Sequence, residues 1–282
     1  MAISEAIANI KDNYRFHLSV RGGRMARLGY LTLYYFIFIF FRRGDRHLRA
    51  LTWLKRMGLS DVMVDVASGQ GLKLKMDLHT AYDPLYAIHG RRDYAVSGFE
   101  PKPGETVLDL GANVGVYSAL AARAVGAGGT VVAVEPHPGN CRLLRENIAR
   151  NGLKQVRIVE AAVDERPGRA ELFVHERAIN HSLVRRTGRS VSVRVASVDE
   201  LVQDNGLSRV DIIKIDTEGN VAEILRGASG TIGRFHPRIT LEYESGEGPA
   251  LRAQLKSYGY GMKVDGAIGY AVFGAGSERE NT

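Results

Sequence analysis

The stretch VLDLGANVGVYS, residues 107–118, decides the fold. It begins apolar, turns acidic at Asp109, passes through Gly111, Ala112, Asn113 and Gly115, and becomes apolar again from Val116. That order predicts a strand turning tightly into a helix. Glycines let the backbone approach a ligand closely, and a helix start presents unpaired N–H groups. The spacing departs from the dinucleotide fingerprint G-x-G-x-x-G, so the ligand must be read from the residues around the turn.

Outward from this stretch, strands alternate with helices. The helix VGVYSALAARAVGAG is followed by the strand TVVAVEP (130–136) and the helix PGNCRLLRENIARNGL (138–153), with Asn151-Gly152 as its stop. VRIVEAAVD (156–164) reads as a third strand. Two β segments then interrupt, AELFVHE (170–176) and SVSVRVASV (190–198), the second with valines at 191, 193 and 195, as a one-sided antiparallel strand requires. The alternation resumes with the helix DELVQDNGL (199–207), the strand VDIIKIDTEG (210–219), the helix NVAEILRGASGTI (220–232), the strand RITLEYES (238–245) and the helix PALRAQLKSYG (249–259). YGMKVD (260–265) and GYAVFGA (269–275) are too close for a helical crossover and must pair antiparallel. The expectation is an α/β sheet, largely parallel and covered on both faces.

Ligands of open α/β sheets sit beyond the carboxyl ends of the strands. Glu135 ends the second strand twenty residues after Gly115, where a carboxylate can accept hydrogen bonds from ribose hydroxyls. Nicotinamide-binding folds place an acid there too, so Glu135 does not discriminate. Asp109 does. Beside a diphosphate its charge would be repelled, whereas an ammonium or sulfonium would be attracted. S-adenosylmethionine has no phosphate, carries positive charge on its methionine portion and keeps the ribose, so these residues favour it over NAD.

Methyl transfer to a hydroxyl benefits from a general base. Lys214, Asp216 and Glu218 alternate to one face at the end of IKIDTEG and can line one wall, although Lys214 and Asp216 also fit a structural ion pair. His181, in the loop AINHSLVRR, and Glu242, at the end of the fifth main strand, are further candidate bases. Tyr82, Tyr86, His89, Arg91, Arg92 and Tyr94 would roof an acceptor pocket suited to a glycan. No Cys/His cluster has metal-ligand spacing, and no metal is expected.

Among these segments, VLDLGANVGVYS, AVEPHPGNCRLLRENIARNG, AAVDERPGRAEL, VRVASVDELV and IIKIDTEGNVAEILRGA together resemble the FkbM family of S-adenosylmethionine-dependent methyltransferases, over roughly residues 60–275. The resemblance implies a Rossmann-like class I methyltransferase sheet of seven strands, in the order 3-2-1-4-5-7-6 with one strand antiparallel. It also implies methyl transfer to a hydroxyl of a sugar, polyketide or other metabolite. Carried onto this sequence, Asp109, Gly111 and Asn113 would line the methionine part of the cofactor, with Ala112, Gly115 and Tyr117 from the same turn. Glu135 would hold the ribose beside Pro136, and Ala162, Val163 and Asp164 would lie near adenine. Asp216, Glu218 and Gly219 would face the transferred methyl. Family members often follow the Glu-Gly with a small or apolar residue and then an acid. Here Asn220, Val221 and Ala222 precede Glu223.

The chain of 282 residues, 45% hydrophobic, is long enough for one sizeable core and a smaller appendage. It divides into a helical, basic and hydrophobic segment (1–60), a β-hairpin with a connecting helix (61–100), the cofactor-binding domain (101–276) and a polar tail (277–282). Its one cysteine, Cys141, excludes an internal disulfide and fits a reducing, cytoplasmic compartment. Residues 1–60 hold eleven Lys/Arg against three Asp/Glu, a balance of +8; the remainder holds twenty-seven against twenty-eight, a balance of −1. Within the basic part, LGYLTLYYFIFIFF (28–41) is flanked by Arg21, Arg24 and Arg27 and by Arg42 and Arg43. As a helix it spans roughly 21 Å, short of the roughly 30 Å hydrocarbon core. It fits a buried helix, a subunit interface in an oligomer, or a peripheral membrane contact through 28–43. Because the basic charge stays in this hydrophobic segment, a nucleic-acid partner is not expected. An RNA methyltransferase is the alternative to an enzyme acting on a small molecule or a glycan- or lipid-linked acceptor.

Overall fold

The computed structural model describes residues 61–66, 72–77, 100–173, 189–217, 219–243, 246–265 and 268–274. The segment 1–60 with its apolar run, the roof residues Tyr82 to Tyr94, His181, Glu218 and the tail lie outside the described residues.

Alternating polarity in VMVDVA and LKLKMDL produces the expected antiparallel hairpin of β1 (Asp61–Val66) and β2 (Leu72–Asp77), with Val66 opposite Leu72. The next strands are largely apolar and buried on both faces, with Asp109 and Glu135 as buried acids among them. These are β3 (Thr106–Leu110) and β4 (Thr130–Glu135), followed by the half-buried edge strand β5 (Val156–Glu160). Between them run α1 (Val116–Val125) and α2 (Pro138–Arg150), the latter starting on Pro138 with His137 as its cap.

The third predicted strand divides. After Ala161 the chain leaves the main sheet, and β6 (Ala162–Val163) pairs with β8 (Ser190–Ala196), which also pairs antiparallel with β7 (Gly168–Phe173). These three form a separate sheet in the order β6-β8-β7. Buried Val193 and Val195 alternate with exposed Ser192 and Arg194, as the valine spacing predicts. Then come α3 (Val198–Asp204), β9 (Ile212–Ile215), α4 (Val221–Arg226), α5 (Ser229–Phe235), β10 (Arg238–Glu242), α6 (Gly248–Ser257), β11 (Tyr260–Asp265) and β12 (Ile268–Phe273).

The single helix expected over 220–232 is thus two. Gly227 presses on the neighbouring loop, where a β-carbon would come within 2.6 Å of Asp164 O. The new helix start is capped from α3: the Asp199 carboxylate accepts from the N–H groups of Gly230 and Thr231, at 2.9 and 2.7 Å, and from the Thr231 hydroxyl.

The main sheet has the order β11-β12-β10-β9-β3-β4-β5. Counting only these strands in chain order and reading from β5, it is 3-2-1-4-5-7-6, as expected. The last strand, β12, runs antiparallel to both neighbours, while β10, β9, β3, β4 and β5 are mutually parallel. Leu108, Leu110, Ile213, Ile215, Ile239 and Leu241 point to one face and pack with α3 to α6. Each fully buried aliphatic side chain there contributes about 1.5–3 kcal/mol. Strand alternation turns Asp109 and Lys214 to the opposite face, toward α1, and the register sets them side by side across β3 and β9.

Candidate active site

The turn between β3 and α1 depends on left-handed backbone at alternate positions: Gly111 at φ +83°, Asn113 at +51° and Gly115 at +90°. Neither glycine has space for a side chain. A β-carbon on Gly111 would lie 1.9 Å from Asp216 O, and one on Gly115 would lie 2.4 Å from Leu144 Cδ1. Asn113 is among the few non-glycine residues that adopt this conformation readily.

The turn's first N–H groups are already engaged. Gly111 and Ala112 both donate to Val134 O, at 3.0 and 2.9 Å, and Asn113 donates to Glu135 Oε2 at 2.9 Å. A diphosphate clamp needs such groups unspent, so the turn suits a ligand without phosphate.

Glu135 ends β4 and is buried. Its Oε1 accepts from His137 N and Asn140 Nδ2, at 2.9 and 3.1 Å. Burial outweighs these bonds and pushes its carboxyl up to about 7. His137, partly buried, has its imidazole pushed below the usual range by desolvation; its Nδ1 accepts weakly from Asn140 N at 3.4 Å. Pro136, between Glu135 and His137, has no backbone N–H to donate. Cys141 is structural: its thiol donates to Glu135 O at 3.0 Å, and burial pushes it up to about 12.

Asp109 was expected to meet the cofactor's positive charge. It finds its cation within the protein instead. The side chain is 0% exposed; Oδ2 accepts from Ser118 Oγ at 2.5 Å, and Oδ1 accepts from Lys214 Nζ at 2.9 Å. The same ammonium donates to Gly111 O at 3.3 Å and lies 3.2 Å from Asp216 Oδ2. It also sits 5.5 Å from the centroid of the Tyr117 ring, whose phenol is driven far upward by burial and by Asp109. Lys214 therefore does not face an acceptor as the alternation suggested. Exposure rises along this row from 0% at Asp109 and 4% at Lys214 to 32% at Asp216. The acid, ammonium, acid row opens at Asp216.

Glu242 ends β10, exposed, one residue beyond the Leu241–Ile215 pair, and so stands level with Asp216, the residue that follows β9. Glu223 pairs with Arg226 at 2.8 Å on the surface of α4. On the other side, Ala162 and Val163 are buried, and Asp164 N donates to Ala196 O at 3.1 Å. Asn220, in the sequence merely an intervening residue, adopts φ +56° and donates from Nδ2 to Val163 O at 2.9 Å, joining the loop after β9 to the loop after β6. Ser118, Asn140 and Asn220 were not singled out in the sequence; a polar residue in the apolar first turns of the helix was the available signal for Ser118.

A seven-stranded sheet of this order, with a phosphate-free turn after its first strand and a carboxylate after its second, defines a class I methyltransferase. The methyl donor of this class is S-adenosylmethionine. The chain belongs to the FkbM methyltransferase family: the model of the methyltransferase FkbM domain matches residues 109–262. It is 24% identical to 31-O-demethyl-FK506 methyltransferase FkbM of Streptomyces tacrolimicus, over 64% of this chain and 74% of that protein. It is 23% identical to methyltransferase sdnD of Sordaria araneosa, over 68% of this chain and 86% of that protein. Among solved structures, methyltransferase FkbM from Methylobacillus flagellatus KT matches with a TM-score of 0.45 and 16% identity, covering 69% of this chain and 56% of that one. Among the described residues no group of side chains could hold a metal ion, and no helix is long and apolar enough to cross a membrane.

Proposed function

We propose that the protein transfers a methyl group to a hydroxyl of a sugar, glycolipid or related metabolite, with Asp216 as the general base. The observation that carries this is the half-open row Asp109–Lys214–Asp216, which anchors one carboxylate at the mouth of the cofactor turn and leaves it about one-third exposed. The cofactor supplies an activated methyl on a good leaving group. The protein's task is to align the acceptor, exclude water and take the hydroxyl proton. Asp216 takes that proton, and Lys214 and Asp109 are positioning residues behind it. Gly111, Ala112, Asn113, Gly115 and Tyr117 support the methionine part; Glu135 and Pro136 border the ribose; Ala162, Val163 and Asp164 border adenine. Glu218, His181 and Glu242 are the competing bases. A relative whose printed name describes methylation of an oxygen supports the O-methyl reading.

Untargeted mass spectrometry of glycans, lipids and small metabolites from cells with and without the protein tests the acceptor class; a hydroxyl compound gaining one methylene mass is expected. With that acceptor, Asp216→Asn should lower kcat by about 10²–10⁴-fold while S-adenosylmethionine affinity holds. An unchanged kcat would transfer the role to Glu218, His181 or Glu242.

A further inference from the structure

Asn147 lies on α2 outside the resemblance's site residues, yet it is fully buried and its amide is fully used. Its Oδ1 accepts from Lys75 N at 2.6 Å, and its Nδ2 donates to Lys75 O at 3.0 Å. The second hydrogen of Nδ2 goes to Val114 O, at 2.8 Å, inside the cofactor turn. One helical turn on, Asn151 repeats the first pattern on the same strand: Oδ1 accepts from Lys73 N and Nδ2 donates to Lys73 O, both at 2.8 Å.

This pairing has a geometric basis. Residues four apart on a helix are about 6 Å apart along its axis, and residues two apart on a strand are about 6.6 Å apart. A side-chain amide presents a C=O and an N–H side by side, as a neighbouring strand does. Two asparagines at that spacing therefore substitute for a missing strand along β2, whose other edge pairs with β1. Leu72 and Leu74, both fully buried, hold the strand down while the amides fix its register.

The third bond of Asn147 makes the latch more than packing. Val114 lies between Asn113, whose N–H is on the Glu135 carboxylate, and Gly115, which starts α1. A displacement of the hairpin along α2 therefore acts on the Val114–Gly115 peptide, two peptide units beyond the Asn113 N–H that meets Glu135. We infer that Asn147, seconded by Asn151, is a positioning residue that couples the N-terminal β-hairpin to the cofactor turn, so that hairpin docking and cofactor binding reinforce each other. The inference rests on that turn being the S-adenosylmethionine site.

The test uses the full chain and S-adenosylhomocysteine as an unreactive probe, with calorimetry and amide hydrogen exchange. In the wild type, the probe should slow exchange at Lys73 and Lys75 beyond the general slowing seen in the core strands. Asn151→Ala, which touches the hairpin but not the turn, should weaken probe binding by about threefold to tenfold, as expected from losing hydrogen bonds that support the bound state. Asn147→Asp keeps the acceptor for Lys75 N but loses both donated bonds, to Lys75 O and to Val114 O, and should abolish the extra slowing at Lys73 and Lys75. Wild-type affinity in folded Asn151→Ala, or hairpin exchange indifferent to the probe in the wild type, would overturn the coupling. Should Asn147→Asp fail to fold, Asn151→Ala decides alone. Absence of probe binding to the wild type itself would instead count against the turn as the cofactor site.

Discussion

Lys214 illustrates how much a single buried charge organises here. Its ammonium satisfies Asp109, Gly111 O and Asp216 at once. Removing one partner of a buried pair leaves the other uncompensated, so Lys214→Met should destabilise the fold by about 3–5 kcal/mol in urea unfolding. The double change with Asp109→Asn should recover part of that loss, giving a non-zero coupling in the cycle. Glu135 supplies a pH signature. Its folded-state value of about 7 lies above the ordinary 4.5, so its contribution to stability is fully present below about 4.5 and is lost as pH rises to about 7. The loss is on the order of 3 kcal/mol for the ligand-free protein, and Glu135→Gln should flatten it in thermal melts across that range. Asp109, Gly111 and Glu135 were singled out in the sequence because a motif keeps them close along the chain. Lys214 as the partner of Asp109 was not. The two are 105 residues apart and meet only because β3 and β9 are neighbours in register.

At the scale of elements, the strands and their order were readable because an apolar strand followed by an amphipathic helix leaves few topologies. The breaks were not readable, because contacts from elsewhere cause them. Nothing in NVAEILRGASGTI marks a stop at Gly227 more strongly than Gly227 inside a helix would. The split follows from the Asp164–Glu165 backbone lying against that glycine and from Asp199 capping the next helix. Gly227→Ala should therefore cost about 1–3 kcal/mol by overpacking, measured by chemical unfolding. It should also weaken S-adenosylhomocysteine binding in calorimetry, because the displaced loop is the one proposed to border adenine. Asp199→Ala, which removes only the cap, should cost about 1–2 kcal/mol and leave that affinity unchanged. The contrast separates loss of a helix start from displacement of the adenine loop.

Across the whole molecule the charge is divided, with +8 in residues 1–60 and −1 in the rest. A near-neutral body offers a polyanion no net attraction, whereas the segment concentrates arginines on both sides of an aromatic, apolar run. Were this segment a peripheral anchor, two forces would act together at an anionic bilayer: burial of the run at the headgroup boundary, and about 1 kcal/mol for each basic residue near the surface. A peripheral anchor, one of the readings open for this segment, predicts that the full chain co-sediments with vesicles containing phosphatidylserine and that a chain beginning at residue 61 stays in the supernatant. Raising the salt to about 1 M, where the Debye length is roughly 3 Å, should remove the electrostatic part and leave weaker, apolar binding. A subunit interface predicts the opposite pattern. The full chain would then ignore vesicles, and loss of residues 1–60 would lower the mass seen in analytical ultracentrifugation. Equal sedimentation of the two chains with vesicles would move the membrane contact out of the basic segment and into the methyltransferase body.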